Sequence, residues 1–324
     1  RELIVKYIVP LVKKINNTRK EILEIDKMRI YDTLYFKNGN PKPKGGVEFQ
    51  VNQAKKMYSE LSSETNEFFD IMVNEELMDL DNRAGKSGGG FCTSFPLYER
   101  PYIFANFNGT DHDVTVLTHE AGHAFQCYMS RKQPINRYLW PTYEACEIHS
   151  MSMEFFTWDW MELFFKEDTE KFLFKHIAGS LSFLPYGALV DHFQHWVYEN
   201  PNALPKERKE KWLELEAIYQ PDKDYDDLSF LGSGGLWQKQ SHIYQVPFYY
   251  IDYTLAQVCA FQFWIKMGID KESTWKDYLK LCEAGGSLPF LKLVKLANLD
   301  SPFDEKVFQN VADKVDKWLE ENSL

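Results

Sequence analysis

Apolar positions recur mostly at helical spacing. Leu3, Val5, Ile8, Leu11, Val12 and Ile15 form one stripe, which predicts a helix over 1–37 with a kink at Pro10. Val51, Ala54, Met57, Leu61, Phe68, Phe69 and Met72 form a second and predict helix over 47–79. Further helical patterns cover roughly 141–165, 168–199, 206–219, 238–267, 271–283 and 304–321. The breaks between them are rich in Gly, Pro and Asn: NGNPKPKGG (38–46), DNRAGKSGGGF (81–91), PNALP (201–205), LGSGGL (231–236) and GGSLP (285–289). YIFANF (102–107) departs from the helical period. It is short and aromatic, and it is bounded by Pro101 and Asn108-Gly109, so it predicts a strand. That strand is either an edge that pairs with a peptide backbone, placing Phe104 and Asn106 against substrate, or a structural hairpin. Thr110, Asp111 and Asp113 offer N-cap oxygens to the helix that follows. With no repeat, low-complexity tract or linker, residues 1–324 read as a single mainly α unit with a small β element.

Composition narrows this picture. The 324 residues are 44% hydrophobic, 16% aromatic and 26% charged, a globular balance. A net charge of −11 without a basic stripe argues against a nucleic-acid partner. Five widely spaced cysteines with no C-x-x-C fit a reduced, cytoplasmic protein. No window approaches the ~18 consecutive apolar residues of a membrane span. The chain begins at Arg1 without methionine, so it is expected to be the C-terminal portion of a longer protein.

Candidate chemistry lies in LTHEAGHAFQCY (117–128). His119 and His123 are four apart, so on a helix both imidazoles leave one face and can grip one metal ion. Glu120 lies one step round, where a general base would reach a water on that metal without ligating it. Gly122 would keep the helix surface open beside the site. A third ligand separates the zinc-peptidase classes. The metzincin position falls on Met129, with Gln126 where that class needs glycine, and thermolysin-like spacing falls on Tyr143. TYEACEIHSMSMEFF offers Glu144, Glu147 and Glu154 instead. Glu147 and Glu154 are seven apart and share a helix face; Glu147 is read as the ligand and Glu154 as the carboxylate holding a ligand imidazole through its other nitrogen. Glu144 reads as a solvent or capping carboxylate, and His149 falls on another face. AGKSGGG (84–90) lacks the earlier glycine of a phosphate-binding loop, because position 80 is Leu80. His192 and His195 read as structural, and Cys127 and Cys146 as buried apolar residues.

GGGFC, PYIFANFNGT, DVTVLTHEAGHAF, EIHSMSMEF and HIYQVPFYYIDYTLAQ, in that order, resemble the oligoendopeptidase F and thimet oligopeptidase family of zinc peptidases. The resemblance runs from about Asp81 to Trp264. It implies a helix-rich, gluzincin-type catalytic domain lining a deep channel, one Zn2+ per chain, and cleavage of short peptides. It also places Glu147 on the family's third ligand and Glu154 on a recurring glutamate. Relatives often carry histidine where this chain has Gln126, and they are usually longer at the N-terminus.

The other informative stretch is LGSGGLWQKQSHIYQVPFYYIDY (231–253). Amide hydrolysis passes through an oxyanion, and a phenol or imidazole donor aimed at it is worth ~3 kcal/mol. Tyr250 and Tyr253 are three apart and share a helix face. The resemblance carries the donor role to His242 and Tyr253, with Tyr249 and Tyr250 ambiguous by one position, and includes Tyr244 among the substrate-binding tyrosines. Gly232, Gly234 and Gly235 would let a loop approach the peptide, flex as a lid, or simply join two helices. The function expected is a zinc endopeptidase for short oligopeptides. The alternatives are a zinc aminopeptidase, for which no G-x-M-E-N-like string is present, and a non-catalytic peptide-binding module.

Overall fold

The computed structural model describes residues 1–322. Along the chain run α1 (Val9–Leu23), α2 (Val47–Leu61), α3 (Ser63–Asn74), β1 (Met78–Asp81), β2 (Phe91–Phe95) and β3 (Arg100–Phe107). They are followed by α4 (Asp111–Ser130), α5 (Tyr143–Phe156), α6 (Glu162–Phe165), α7 (Thr169–Glu199) and α8 (Pro205–Tyr219). The last are α9 (His242–Gln245), α10 (Tyr250–Met267), α11 (Lys271–Ala284), α12 (Phe290–Leu296) and α13 (Glu305–Glu321). Where the sequence suggests one unit, the chain groups into two. One holds Arg1–Gly39, Phe174–Leu255 and the segment from Phe303; the other holds Asn40–Leu173 and Ala256–Pro302.

In the first unit the backbone stays helical through Pro10 by widening to a π-turn over Ile4–Ile8. The helix ends at Leu23, well short of 37, with Glu24 at a left-handed φ of 55°. Beyond it, side chains bond the backbone locally. Asp32 accepts the Arg29 N–H, and Arg19 donates to the Asp32 and Leu34 carbonyls. Such bonds offer the chain an alternative to helix. α13 buries Val307, Phe308, Val311, Val315 and Leu319 along one face. Its charged flank pairs with the first helical segment through Lys6–Glu305 and Lys14–Asp316, both at 2.6 Å.

The second unit carries the H-E-x-x-H helix. The stretch expected as one helix over 47–79 is broken at Ser62, whose hydroxyl caps the Thr65 N–H while Thr65 returns the bond. It then ends at Asn74 to make room for β1. The sheet order is β1-β3-β2, with β3 parallel to β1 and antiparallel to β2. YIFANF is therefore the middle strand, not an edge, because a neighbour occupies each side of its backbone. β3 alternates cleanly, burying Pro101, Ile103, Ala105 and Phe107. β2 and β3 pack against α4. α5 crosses α4 at Gly122, where a Cβ would stand 2.7 Å from the His149 carbonyl oxygen and 2.7 Å from Ser150 Cα. Gly122 is thus required by the helix crossing rather than by an open surface. Phe125, Phe156, Trp275 and Tyr278 stack behind the crossing, and the Tyr278 hydroxyl donates to the His149 carbonyl at 2.9 Å.

Candidate active site

α4 begins with two acids in its first turn, which suit the positive end of the helix dipole. Asp113 accepts the Asn108 and Gly109 N–H groups at 2.9 and 2.7 Å, fixing the turn between β3 and the helix. Thr110 instead turns its hydroxyl to Asn108 Oδ1. From this anchored start, His119 and His123 project toward α5. The close crossing at Gly122 brings Glu147 between them: its Oε2 lies 3.3 Å from His119 Nε2 and 3.3 Å from His123 Nε2. Glu154, two turns on, meets His119 Nδ1 at 2.7 Å. That acceptor favours the proton on Nδ1 and leaves the Nε2 lone pair facing the centre. Ser150 adds a hydrogen bond of 3.0 Å to Glu147 Oε2. Sequence reasoning passed over Ser150, although its i+3 spacing from Glu147 was available as a signal.

The electrostatics are those of a cation site. Burial opposes charge on Glu147, yet the two imidazoles outweigh it and hold the carboxyl well below its usual range. Burial likewise opposes charge on His119, and the bonds to Glu147 and Glu154 overcome it and raise the imidazole. The ligand atoms of His119, His123 and Glu147 all lie within 4.8 Å of one another, a set of two imidazoles and one carboxylate that fits a divalent ion. Glu120 is 7% exposed, and its Oε2 has no hydrogen-bond partner. Burial raises its carboxyl above the usual range. Glu144 is half-buried in the first turn of α5. His149 is fully buried on another face, and His192 is bonded to the Tyr219 hydroxyl at 3.1 Å.

Gln126 donates to Ser130 Oγ within α4 and ties the helix to the following loop through the Leu139 carbonyl. Phe104 stacks on Phe91 with ring centroids 4.9 Å apart. Asn106 spends its amide on the Ser87 and Gly89 carbonyls. Both residues thus serve the sheet and the loop beside it.

In the other unit, His242, Tyr249, Tyr250 and Tyr253 gather into one aromatic cluster, with centroid separations from 4.9 Å for Tyr249–Tyr253 to 6.0 Å for His242–Tyr249. Gln240 meets His242 Nδ1 at 2.7 Å. Tyr250 is nearly buried, and burial pushes its phenol up to about 12. Tyr244 lies apart, exposed and stacked on Trp237. Gly234 and Gly235 are packed glycines. Gly234, at φ 87°, would place a Cβ 2.2 Å from the Lys209 carbonyl oxygen, and Gly235 would meet Phe230. Their backbone is spent on a close approach to α8 and a tight turn, so the lid expectation loses its basis.

The model of peptidase family M3 matches residues 2–313. The oligoendopeptidase F homolog of Borreliella burgdorferi is 25% identical over 90% of this chain and 50% of its own length. Oligopeptidase PepF of Bacillus subtilis is 24% identical over 96% and 48%. This chain therefore spans about half the length of these relatives. Among solved structures, PZ peptidase A with inhibitor superposes with a TM-score of 0.97 at 53% identity, covering 100% of this chain and 58% of that one. An oligoendopeptidase F from Bacillus anthracis gives 0.90 at 48%, covering 100% and 56%. A family match over nearly the whole chain, with a His-His-Glu cluster on facing helices, makes this chain a member of peptidase family M3.

Proposed function

We propose that the protein is a zinc-dependent endopeptidase that hydrolyses internal bonds of short oligopeptides. The observation that carries this is the carboxylate of Glu147 set 3.3 Å from both imidazole Nε2 atoms. His119, His123 and Glu147 would hold the ion, which when bound supplies Lewis acidity toward water and the scissile carbonyl. Zinc suits a site of two imidazoles and one carboxylate.

Glu120 takes the proton of the attacking water and returns it to the leaving amine nitrogen. Its buried, raised carboxyl and unpartnered Oε2 support that role. Glu154 holds the His119 ring. His242 and Tyr253 are assigned, from the family resemblance, as donors to the developing oxyanion, with Tyr250 as their packed neighbour. Tyr249 and Tyr244 are assigned as peptide contacts. Pairing with the substrate backbone passes from β3 to the second edge of β2, which carries no strand among the described residues. The reaction is assigned to the cytoplasm; no helix among the described residues is long and apolar enough to cross a membrane.

The test is Glu120→Gln. It should keep one metal per chain and lower turnover of an N-blocked oligopeptide by at least about 10²-fold. Undiminished turnover would remove Glu120 as the base. Cleavage confined to peptides with a free amino group would point to an aminopeptidase instead.

A further inference from the structure

The segment AGKSGGG, discarded as a phosphate loop, holds an unusual lysine. The Lys86 side chain is only 1% exposed. Its three N–H groups are shared among four oxygens: Asp79 O at 3.0 Å, Asp79 Oδ1 at 3.0 Å, Asp81 O at 2.8 Å and Ala105 O at 2.5 Å. It also sits 4.4 Å from the centre of the Phe104 ring. A buried ammonium persists only when paired and fully hydrogen-bonded. Asp79 supplies the charge, and its own carboxylate is clamped by both Arg83 nitrogens at 2.7 and 2.8 Å.

The location explains the acceptors. The pairing of β1 with β3 slips between Asp79 and Asp81. A slipped register leaves backbone carbonyls without ladder partners, and the ammonium takes them. Asn106 then secures the far limb of the loop through the Ser87 and Gly89 carbonyls, at 2.9 and 2.8 Å. Held at both ends, the loop lays Gly90 against Glu120. A Cβ at Gly90 would stand 3.4 Å from Glu120 Oε1 and 3.6 Å from the Phe104 carbonyl oxygen. Gly88 and Gly89 face open space.

We propose that Lys86 is a positioning residue for the peptidase reaction: its ammonium pins the glycine segment 88–90 as a side-chain-free wall that fixes the Glu120 carboxylate and leaves room for a peptide main chain. This rests on Glu120 acting as the base. The wall must hold still, because a displacement of about 1 Å at a reacting group costs on the order of 10²-fold in rate.

The experiment compares wild type, Lys86→Met and Gly90→Ala in three readouts: kcat and KM on an N-blocked oligopeptide, metal bound per chain, and amide hydrogen exchange of residues 84–91. Lys86→Met should retain its metal, lose on the order of 10²-fold in kcat and exchange its loop amides at least about tenfold faster. Gly90→Ala, which leaves the ammonium untouched, should keep loop protection and KM while kcat falls at least about tenfold. A Lys86→Met variant with wild-type kcat, or with kcat lost and loop protection intact, would overturn the proposal. Should Lys86→Met fail to fold, wild-type kcat in Gly90→Ala overturns it alone. If the wild type cleaves nothing, the peptidase reading fails, and the exchange comparison still decides whether the ammonium pins the loop.

Discussion

At the scale of the residue, the candidate site depends on which nitrogen of His119 is free. The carboxylate of Glu154 at 2.7 Å from Nδ1 favours the proton on that nitrogen, because a carboxylate oxygen accepts. Nε2 is then left to face Glu147 and an incoming ion. Partners of this kind are worth about 10–100-fold in metal affinity. Glu154→Ala should therefore weaken binding by that factor in a chelator competition, while circular dichroism keeps its helical signal. Unchanged affinity would take the orienting role from Glu154. These residues were legible in the sequence because spacing alone puts them on common faces. His119 and His123 share one face of one helix, and Glu147 and Glu154 share one face of another. Lys86 was not legible. Its acceptors come from a slipped strand register that no local pattern announces, and the glycines around it mimic a motif with other chemistry.

At the scale of the element, two helices must pass close enough for Glu147 to reach both imidazoles. Gly122 sets that spacing. Its neighbours across the gap are the backbone of His149 and Ser150, which cannot rotate away. Gly122→Ala would gain about 1 kcal/mol of helix propensity, but it forces a backbone shift of the kind that costs about 1–3 kcal/mol. The expected outcome is a lower Tm and at least about tenfold weaker metal binding, read by thermal denaturation and chelator competition. A more stable variant with intact affinity would contradict the crossing as the determinant of the site.

Periodicity found the long helices α5, α7, α8, α11 and α13, while α4 was announced by its N-cap residues and the H-E-x-x-H spacing. It overran where a cap or a local side-chain bond ended a helix early, as at Leu23 and Ser62. It also missed β1, β2 and α12, which are too short to show a period. The strand at 102–107 was recognised, but its place in the middle of the sheet was not. Edge and centre differ only in what pairs alongside, and the two partners were unrecognised.

At the scale of the whole molecule, the metal donors with Glu120 lie in one compact unit, and the His242–Tyr253 cluster lies in the other. The units interleave along the sequence, with three segments forming the first, so no linker marks them. This is why the sequence reads as a single domain. The separation also gives each half its own test. Replacing Tyr253 by Phe removes one hydroxyl from the aromatic cluster and leaves the donor set untouched. Kinetics on an N-blocked peptide should show kcat/KM down by about 10²-fold with metal content unchanged, and equal kinetics would exclude the oxyanion role.

The central claim is that His119, His123 and Glu147 hold a metal required for peptide cleavage. Its most direct test joins elemental analysis of the purified chain to cleavage of a quenched, N-blocked oligopeptide before and after chelation. The account predicts one zinc per chain, with internal cleavage abolished by the chelator and restored by added zinc. A chain without bound metal, or cleavage that persists in the chelator, would contradict it.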